Sequence, residues 1–317
     1  MSLATETVLV TGASGFIGSA LVQYLIDAQV PVIPTARGRT DILSDCFGIK
    51  VLPLDVMGDL TLRNEEFDAA TTLVHCATPN DIQSKGEDGG LSLATHGTYR
   101  LIEHAAAHGI RRIVYLSTLQ VYGTELEGAI DETTPVHCET AYGLNHYLGE
   151  EVCRLAVRRH GIDVVALRPS NVYGVPSVPT VARETLVPMC FVRDAKASGA
   201  VELRSSGHQQ RNFVSTGEVA EIIATLIADF PSEYTIVNAV SAYMASIRQI
   251  ADMTEDVWNR VSDTPLQLRV LSDEPAEGNA FTLTSKIVAP RLSEDQSRQR
   301  MADTIERLIQ RNQETRE

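Results

Sequence analysis

No stretch of the 317 residues is apolar for long enough to cross a membrane, and the N-terminus has no charged region followed by an apolar signal core. A cytoplasmic protein is expected on those grounds. Basic residues are scarce, since 27 Lys and Arg face 41 Asp and Glu for a formal net charge of -14. That balance speaks against general nucleic-acid or anionic-membrane binding, and leaves room only for a local basic patch around a phosphate. The five cysteines, Cys46, Cys76, Cys138, Cys153 and Cys190, lack the paired short spacings of a metal site or a disulfide framework, and their largely apolar surroundings read as buried thiols. His96, His104, His108, His137 and His160 fall on expected surface helices or loops and form no zinc pattern with Cys, Asp or Glu, so no metal is expected. A Gly-x-Ser-x-Gly elbow and a phosphate loop ending in Gly-Lys-Ser/Thr are both missing, which disfavours hydrolase and kinase chemistry. Internal repeats and low-complexity tracts are absent as well.

What is present is a glycine turn in a telling context. Thr7-Val8-Leu9-Val10 is an apolar run, and Thr11-Gly12-Ala13-Ser14-Gly15-Phe16-Ile17-Gly18 follows it and opens an amphipathic segment. This reads as strand, turn and helix: Gly12 permits the tight turn, Gly15 a close approach to a pyrophosphate, and Gly18 close packing of helix on sheet. Ser14, Phe16 and Ile17 belong to the same candidate cradle. Further short apolar runs at 32–35, 51–54, 72–75, 113–116 and 164–167 read as buried parallel strands, with crossover helices clearest at 19–28, 93–108 and 141–160. The fold expected is therefore α/β, a Rossmann-type doubly wound parallel sheet with a smaller C-terminal substrate domain. Residues 1–169 and 213–240 are assigned to the dinucleotide-binding domain, and 170–212 with 241–317 to the substrate domain. The tail from Arg298 to Glu317 reads as a charged amphipathic helix on the surface.

The second strand bears on the cofactor. Where an NAD-binding sheet usually places a carboxylate for the adenosine ribose, this chain has Thr35-Ala36-Arg37-Gly38-Arg39. Guanidinium groups there attract a 2'-phosphate, so NADP is preferred over NAD, with Arg37 as the contact. The other reading of Arg37 and Arg39 is a pair of solvated loop charges. Asp55 and Val56 are candidates for the adenine, and Ala77 for the cofactor wall beyond the strand that His75 ends as a packed residue.

Four further motifs follow in order. They are Ser117-Thr118-Leu119-Gln120-Val121-Tyr122-Gly123, then Tyr142-Gly143-Leu144-Asn145-His146 with Glu150 behind it, then Arg168-Pro169-Ser170-Asn171-Val172-Tyr173-Gly174, and Arg211-Asn212-Phe213-Val214. With the glycine turn they resemble the extended short-chain dehydrogenase/reductases, and among them the nucleotide-sugar epimerase/dehydratase family. The resemblance runs from Thr7 to about Val240, with a weaker echo at 282–286. It implies that Thr118 holds the substrate oxygen, that Tyr142 transfers a proton as hydride moves to or from the nicotinamide, and that Asn171 and Arg211 contact a nucleotide diphosphate. It also implies a homodimer through the helices that begin at Leu93 and Tyr142. The chain departs from the pattern at three places: His146 stands where the family has lysine, Ala94 where it usually has asparagine, and 276–279 where it often has a second phosphate-binding arginine.

The first departure has a direction. Making a phenol with a pKa near 10 into a base at pH 7 takes about 4 kcal/mol of preferential phenolate stabilisation, which a lysine cation helps supply. Histidine, with an ordinary pKa near 6.5, is mostly neutral at pH 7.5. Alcohol oxidation should suffer, whereas ketone reduction asks Tyr142 only to donate a proton. The expected reaction is NADP-dependent reduction of a 4-ketosugar nucleotide, with His146 as a ribose-positioning or relay residue. A nucleotide-sugar 4-epimerase and a catalytically impaired nucleotide-binding protein are the alternatives.

Overall fold

The structure, a computed structural model, describes residues 3–86, 88–178, 181, 183–272 and 280–311. The chain opens with strand β1 (Val8–Thr11), the glycine turn and helix α1 (Phe16–Asp27). There follow β2 (Val32–Ala36), α2 (Thr40–Phe47), β3 (Leu52–Pro53), α3 (Asn64–Ala69) and β4 (Thr72–His75). The next elements are α4 (Thr98–Ala107), β5 (Arg112–Leu116), β6 (Gly128–Ile130), α5 (Ala141–His160) and β7 (Asp163–Pro169). After them come β8 (Asn171–Tyr173), α6 (Met189–Ser198), β9 (Ala200–Leu203), β10 (Gln210–Ser215), α7 (Thr216–Ala228) and β11 (Tyr234–Ala239). The chain closes with β12 (Met244–Ser246), α8 (Ile247–Val261), β13 (Gln267–Val270), β14 (Phe281–Leu283) and α9 (Glu294–Gln310).

Seven strands form one parallel sheet in the order β3-β2-β1-β4-β5-β7-β11. The fold is the expected doubly wound α/β sheet, and its direction of winding reverses between β1 and β4, where such sheets leave a crevice at the carboxyl ends of the strands. Alternate residues serve opposite faces. Val8, Val10, Val74 and Val165 pack with α1 and α7, while Leu9, Leu73, Ile113 and Val164 pack with α4 and α5. Three small sheets, β12-β10-β8, β13-β9 and β14-β6, accompany the large one. A third core gathers Phe191, Val201, Phe213, Trp258 and Met301 from α6, β9, β10, α8 and α9.

Four expectations need correction. The third strand is only Leu52–Pro53, because proline has no N–H to give to a ladder and the strand lies on the sheet edge. The helix expected from Leu93 opens with a π-turn at Leu93–Gly97 that buries Ala94, and becomes α-helical only at Thr98. The C-terminal helix starts earlier than Arg298 and is not merely a surface element, since Ser297, Met301, Thr304 and Ile305 form a buried stripe against the third core. Of the five thiols only Cys153 is fully buried, and Cys46 on α2 is exposed.

His75 shows how tightly β1, β4 and α4 are joined. Its Nδ1 lies 2.8 Å from Thr11 Oγ1 and its Nε2 lies 3.3 Å from Thr98 Oγ1, with no exposed surface. Burial, reinforced by the nearby His146, lowers its pKa to about 3. An unfolded histidine binds its proton near pH 6.5, so the folded state is at full strength above that pH and weakens as the pH falls, by about 2 kcal/mol at pH 5. In denaturant titrations between pH 7 and pH 5, His75→Gln is expected to lose about 2 kcal/mol less than the wild type; equal losses contradict this account of the buried ring.

Candidate active site

The glycine turn is shaped by its neighbours. Gly12 has φ +72°, and a Cβ there would sit 2.8 Å from Ala77 N and from the Cys76 carbonyl carbon, at the end of β4. A Cβ on Gly18 would lie 2.2 Å from Gly12 O, so α1 packs directly on the turn. These contacts leave the N-terminus of α1 facing a cleft of about 520 Å³ at the switch point of the sheet. Gly12, Ser14, Gly15, Phe16, Ile17 and Gly18 line one end of it, together with Arg37, Asp55, Val56 and Ala77. Arg39 does not line it; with φ 57° it precedes the first turn of α2.

Thr118, Tyr142 and His146 line the same cleft. Thr118 ends the turn leaving β5, and its Oγ1 accepts from Gln120 N at 3.3 Å. Tyr142 is the second residue of α5, whose N-terminus is capped by Thr140 Oγ1 accepting from Gly143 N at 3.0 Å. The two meet because Gly143 has no side chain: a Cβ there would come within 2.6 Å of Gln120 O. Four-residue spacing then puts Tyr142, His146 and Glu150 on one face of α5.

Lower on that face the helix is pinned by charge. Arg168 Nε donates to Glu150 Oε1 at 2.8 Å and its Nη2 to Glu150 Oε2, while Ser117 Oγ donates to Glu150 Oε1. Both charged residues are buried, and the guanidinium also lies 4.8 Å from the Tyr122 ring. Burial opposes the Arg168 charge, yet the Glu150 contacts raise its pKa further.

The His146 ring sits edge-on to Tyr142 at 4.6 Å between centroids, with Nε2 donating to Pro79 O at 3.2 Å. Burial lowers its pKa to about 4, although the carbonyls of Pro79 and Leu116 favour the charged ring. It is thus neutral above pH 5. Burial likewise raises the Tyr142 pKa, opposed by a Thr118 hydrogen bond and by Arg183, and aided by Asp81. The resting pair is a phenol beside a neutral imidazole.

Asn171 lines both this cleft and an adjoining cavity of about 180 Å³, and Arg211 lines the second. Asn171 Nδ2 donates to Asn212 O at 3.0 Å, and Arg211 Nη1 to Gln210 O at 2.9 Å. The expectation placed on 276–279 falls outside the described residues. Several lining residues were not singled out from the sequence, among them Asp81, Arg183 and Phe281. Asp81 and Arg183 lie in irregular segments with no motif. The echo at 282–286 was a pointer to the neighbourhood of Phe281, since β14 pairs with β6 there. Among the described residues no group of His, Cys, Asp and Glu is arranged to hold a metal, and no helix is long and apolar enough to cross a membrane.

Comparison with known proteins bears on the fold and the family. A dTDP-glucose 4,6-dehydratase of Streptomyces niveus is 28% identical over 69% of this chain and 68% of its own. A dTDP-4-dehydro-6-deoxy-D-allose reductase of a Streptomyces species is 27% identical over 81% of this chain and 82% of its own. Among solved structures, the UDP-glucuronic acid 4-epimerase of Bacillus cereus, in complex with UDP-glucuronic acid and NAD, shares the fold with a TM-score of 0.76 and 22% identity, over 95% of this chain and 99% of that one. Residues 8–239 match the model of the NAD dependent epimerase/dehydratase family, and the chain belongs to that family.

Proposed function

We propose that this protein reduces the 4-keto group of a nucleotide-linked sugar, with NADPH as its preferred coenzyme. The observation that carries the reading is the neutral, buried His146 against a Tyr142 held as phenol. A cleft whose turn tolerates no side chain at Gly12 or Gly18 fits a dinucleotide, with the pyrophosphate at the N-terminus of α1 and Arg37 on the 2'-phosphate. Asp55 and Val56 flank the adenine, and Ala77 completes the wall. When bound, the coenzyme supplies the hydride. Thr118 Oγ1 holds the ketone oxygen, and Tyr142 Oη gives that oxygen its proton as the alcohol forms. His146 positions the ribose without adding charge. Asn171 and Arg211 hold the nucleotide diphosphate in the adjoining cavity, for which an arginine fork is suited.

The named relatives act on dTDP- and UDP-linked sugars, which supports a nucleotide-linked substrate. On this reading residues 1–169 and 213–240 carry the coenzyme, and 170–212 with 241–317 carry the substrate. Leu144 and Leu155, exposed on α5 at 43% and 46%, favour a homodimer through that helix. A 4-epimerase is the second reading, supported by the likeness to the Bacillus cereus enzyme. It requires Tyr142 to begin the cycle as a base.

Three outcomes are expected. In fluorescence titrations Arg37→Ala weakens NADPH binding about tenfold or more and leaves NADH nearly unchanged, as loss of one charge-assisted contact implies; parallel weakening of both would remove the case for NADP. In NADPH oxidation assays with a 4-ketosugar nucleotide, Tyr142→Phe lowers kcat by about 10²- to 10⁴-fold. In the same assays the wild-type rate shows no inflection between pH 5.5 and 7.5 that vanishes in His146→Gln, because a pKa of about 4 leaves His146 neutral across that range. An inflection near 6.5 that depends on His146 contradicts the reading, and binding without any turnover points to the impaired nucleotide-binding protein.

A further inference from the structure

A proton leaving Tyr142 creates a phenolate in a buried setting, and its charge has to be met nearby for the transfer to be fast. Among the described residues, the groups that face Tyr142 are few. Its own helix offers the neutral His146 ring at 4.6 Å. The β5 side offers Thr118, which hydrogen-bonds the hydroxyl, and Tyr115, a buried phenol. Asp81 comes from the segment after β4, and Arg183 from the segment between β8 and α6.

Asp81 and Arg183 line the cleft with Tyr142 and are joined to each other, Arg183 Nη1 to Asp81 Oδ1 at 2.8 Å, across a sequence separation of 102 residues. Among the described lining residues the other cation is Arg37, which follows β2 on the far side of β1. We infer that Arg183 supplies, from across the cleft, the fixed positive charge beside Tyr142 that position 146 lacks, with Asp81 holding its guanidinium in place. Arg183 is a positioning residue here: it acts through Tyr142.

The ion pair is a dipole, and its two ends act oppositely on the phenol. Arg183 has the larger influence, so the positive end is the one Tyr142 feels more strongly. Tyr142 still rests as a phenol, because burial outweighs both. What Arg183 changes is the cost of the phenolate left when the proton moves to the ketone oxygen. Arg183 and Asp81 are 26% and 44% exposed, so solvent screens the effect to several-fold in rate rather than orders of magnitude.

This inference rests on the proposed role of Tyr142, and its test separates the two. Labelled-tyrosine NMR of the full chain without coenzyme, assigned by comparison with Tyr142→Phe, follows the Tyr142 titration directly. In Arg183→Gln the titration moves to higher pH, and in Arg183→Lys it returns towards the wild type. In the reduction assay Arg183→Gln lowers kcat several-fold with little change in KM, and Arg183→Lys restores it. An unmoved Tyr142 titration in Arg183→Gln, or no recovery with lysine, overturns the inference whatever the activity. A shifted titration in a protein that reduces no ketosugar upholds the role of Arg183 and overturns the proposed reaction alone.

Discussion

The buried pair of Glu150 and Arg168 ties together the three walls of the site. Arg168 lies on β7, just before Pro169 and the Ser170-Asn171 segment that borders both cavities. Glu150 lies two turns below Tyr142 on α5, and Ser117, the residue before Thr118, donates to the same carboxylate. One ionic contact therefore sets the height and rotation of α5 relative to β5 and β7. Such a pair adds little net stability over an apolar equivalent, because desolvation offsets its attraction, but removing one partner costs about 3–5 kcal/mol. Its value here lies in register. The two close approaches at Gly143 and Gly149, where a Cβ would meet Gln120 O at 2.6 Å and Tyr115 Oη at 2.0 Å, complete the seating of the helix.

With α5 so placed, a line of rings runs from the sheet to the cleft: His75 lies 5.8 Å from Tyr115, Tyr115 lies 6.4 Å from His146, and His146 lies 4.6 Å from Tyr142. Burial keeps both histidines uncharged at neutral pH. The two imidazoles behind Tyr142 consequently bring no positive charge to it at neutral pH, and on the inference drawn above that charge comes from Arg183 on the opposite wall. On the proposed reading, a phenol that rests protonated and gives its proton to the ketone oxygen, leaving a phenolate that the flanking cation stabilises, acts first as an acid. That order of events belongs to ketone reduction.

Much of this frame was legible in the sequence because it is local. The glycine turn, the apolar runs of β1, β2, β4, β5 and β7, and the helix at 141–160 each follow from spacing within a few residues. Tyr142 and His146 share a helix face by the same arithmetic. What escaped was set by contacts between distant segments or by backbone detail. Pro53 shortens an edge strand that hydrophobicity alone would extend, and the π-turn around Ala94 has no periodic signature. The buried stripe of α9 is sparse among charged neighbours, so its sequence alone reads as a surface helix, and it is packing against α6 and α8 that buries the stripe. Asp81 and Arg183 meet across 102 residues, and no local pattern announces them.

The central claim is that Tyr142 begins the cycle as an acid. Single-turnover absorbance at pH 7 tests it most directly: protein loaded with NADPH is mixed with a 4-ketosugar nucleotide, and protein loaded with NADP⁺ or NAD⁺ is mixed with the corresponding alcohols. The account predicts rapid loss of the reduced-nicotinamide signal in the first arrangement and slow gain in the second, quickening as the pH rises. Fast oxidation of the alcohol at pH 7, with release of the 4-epimer and no net consumption of coenzyme, would contradict it.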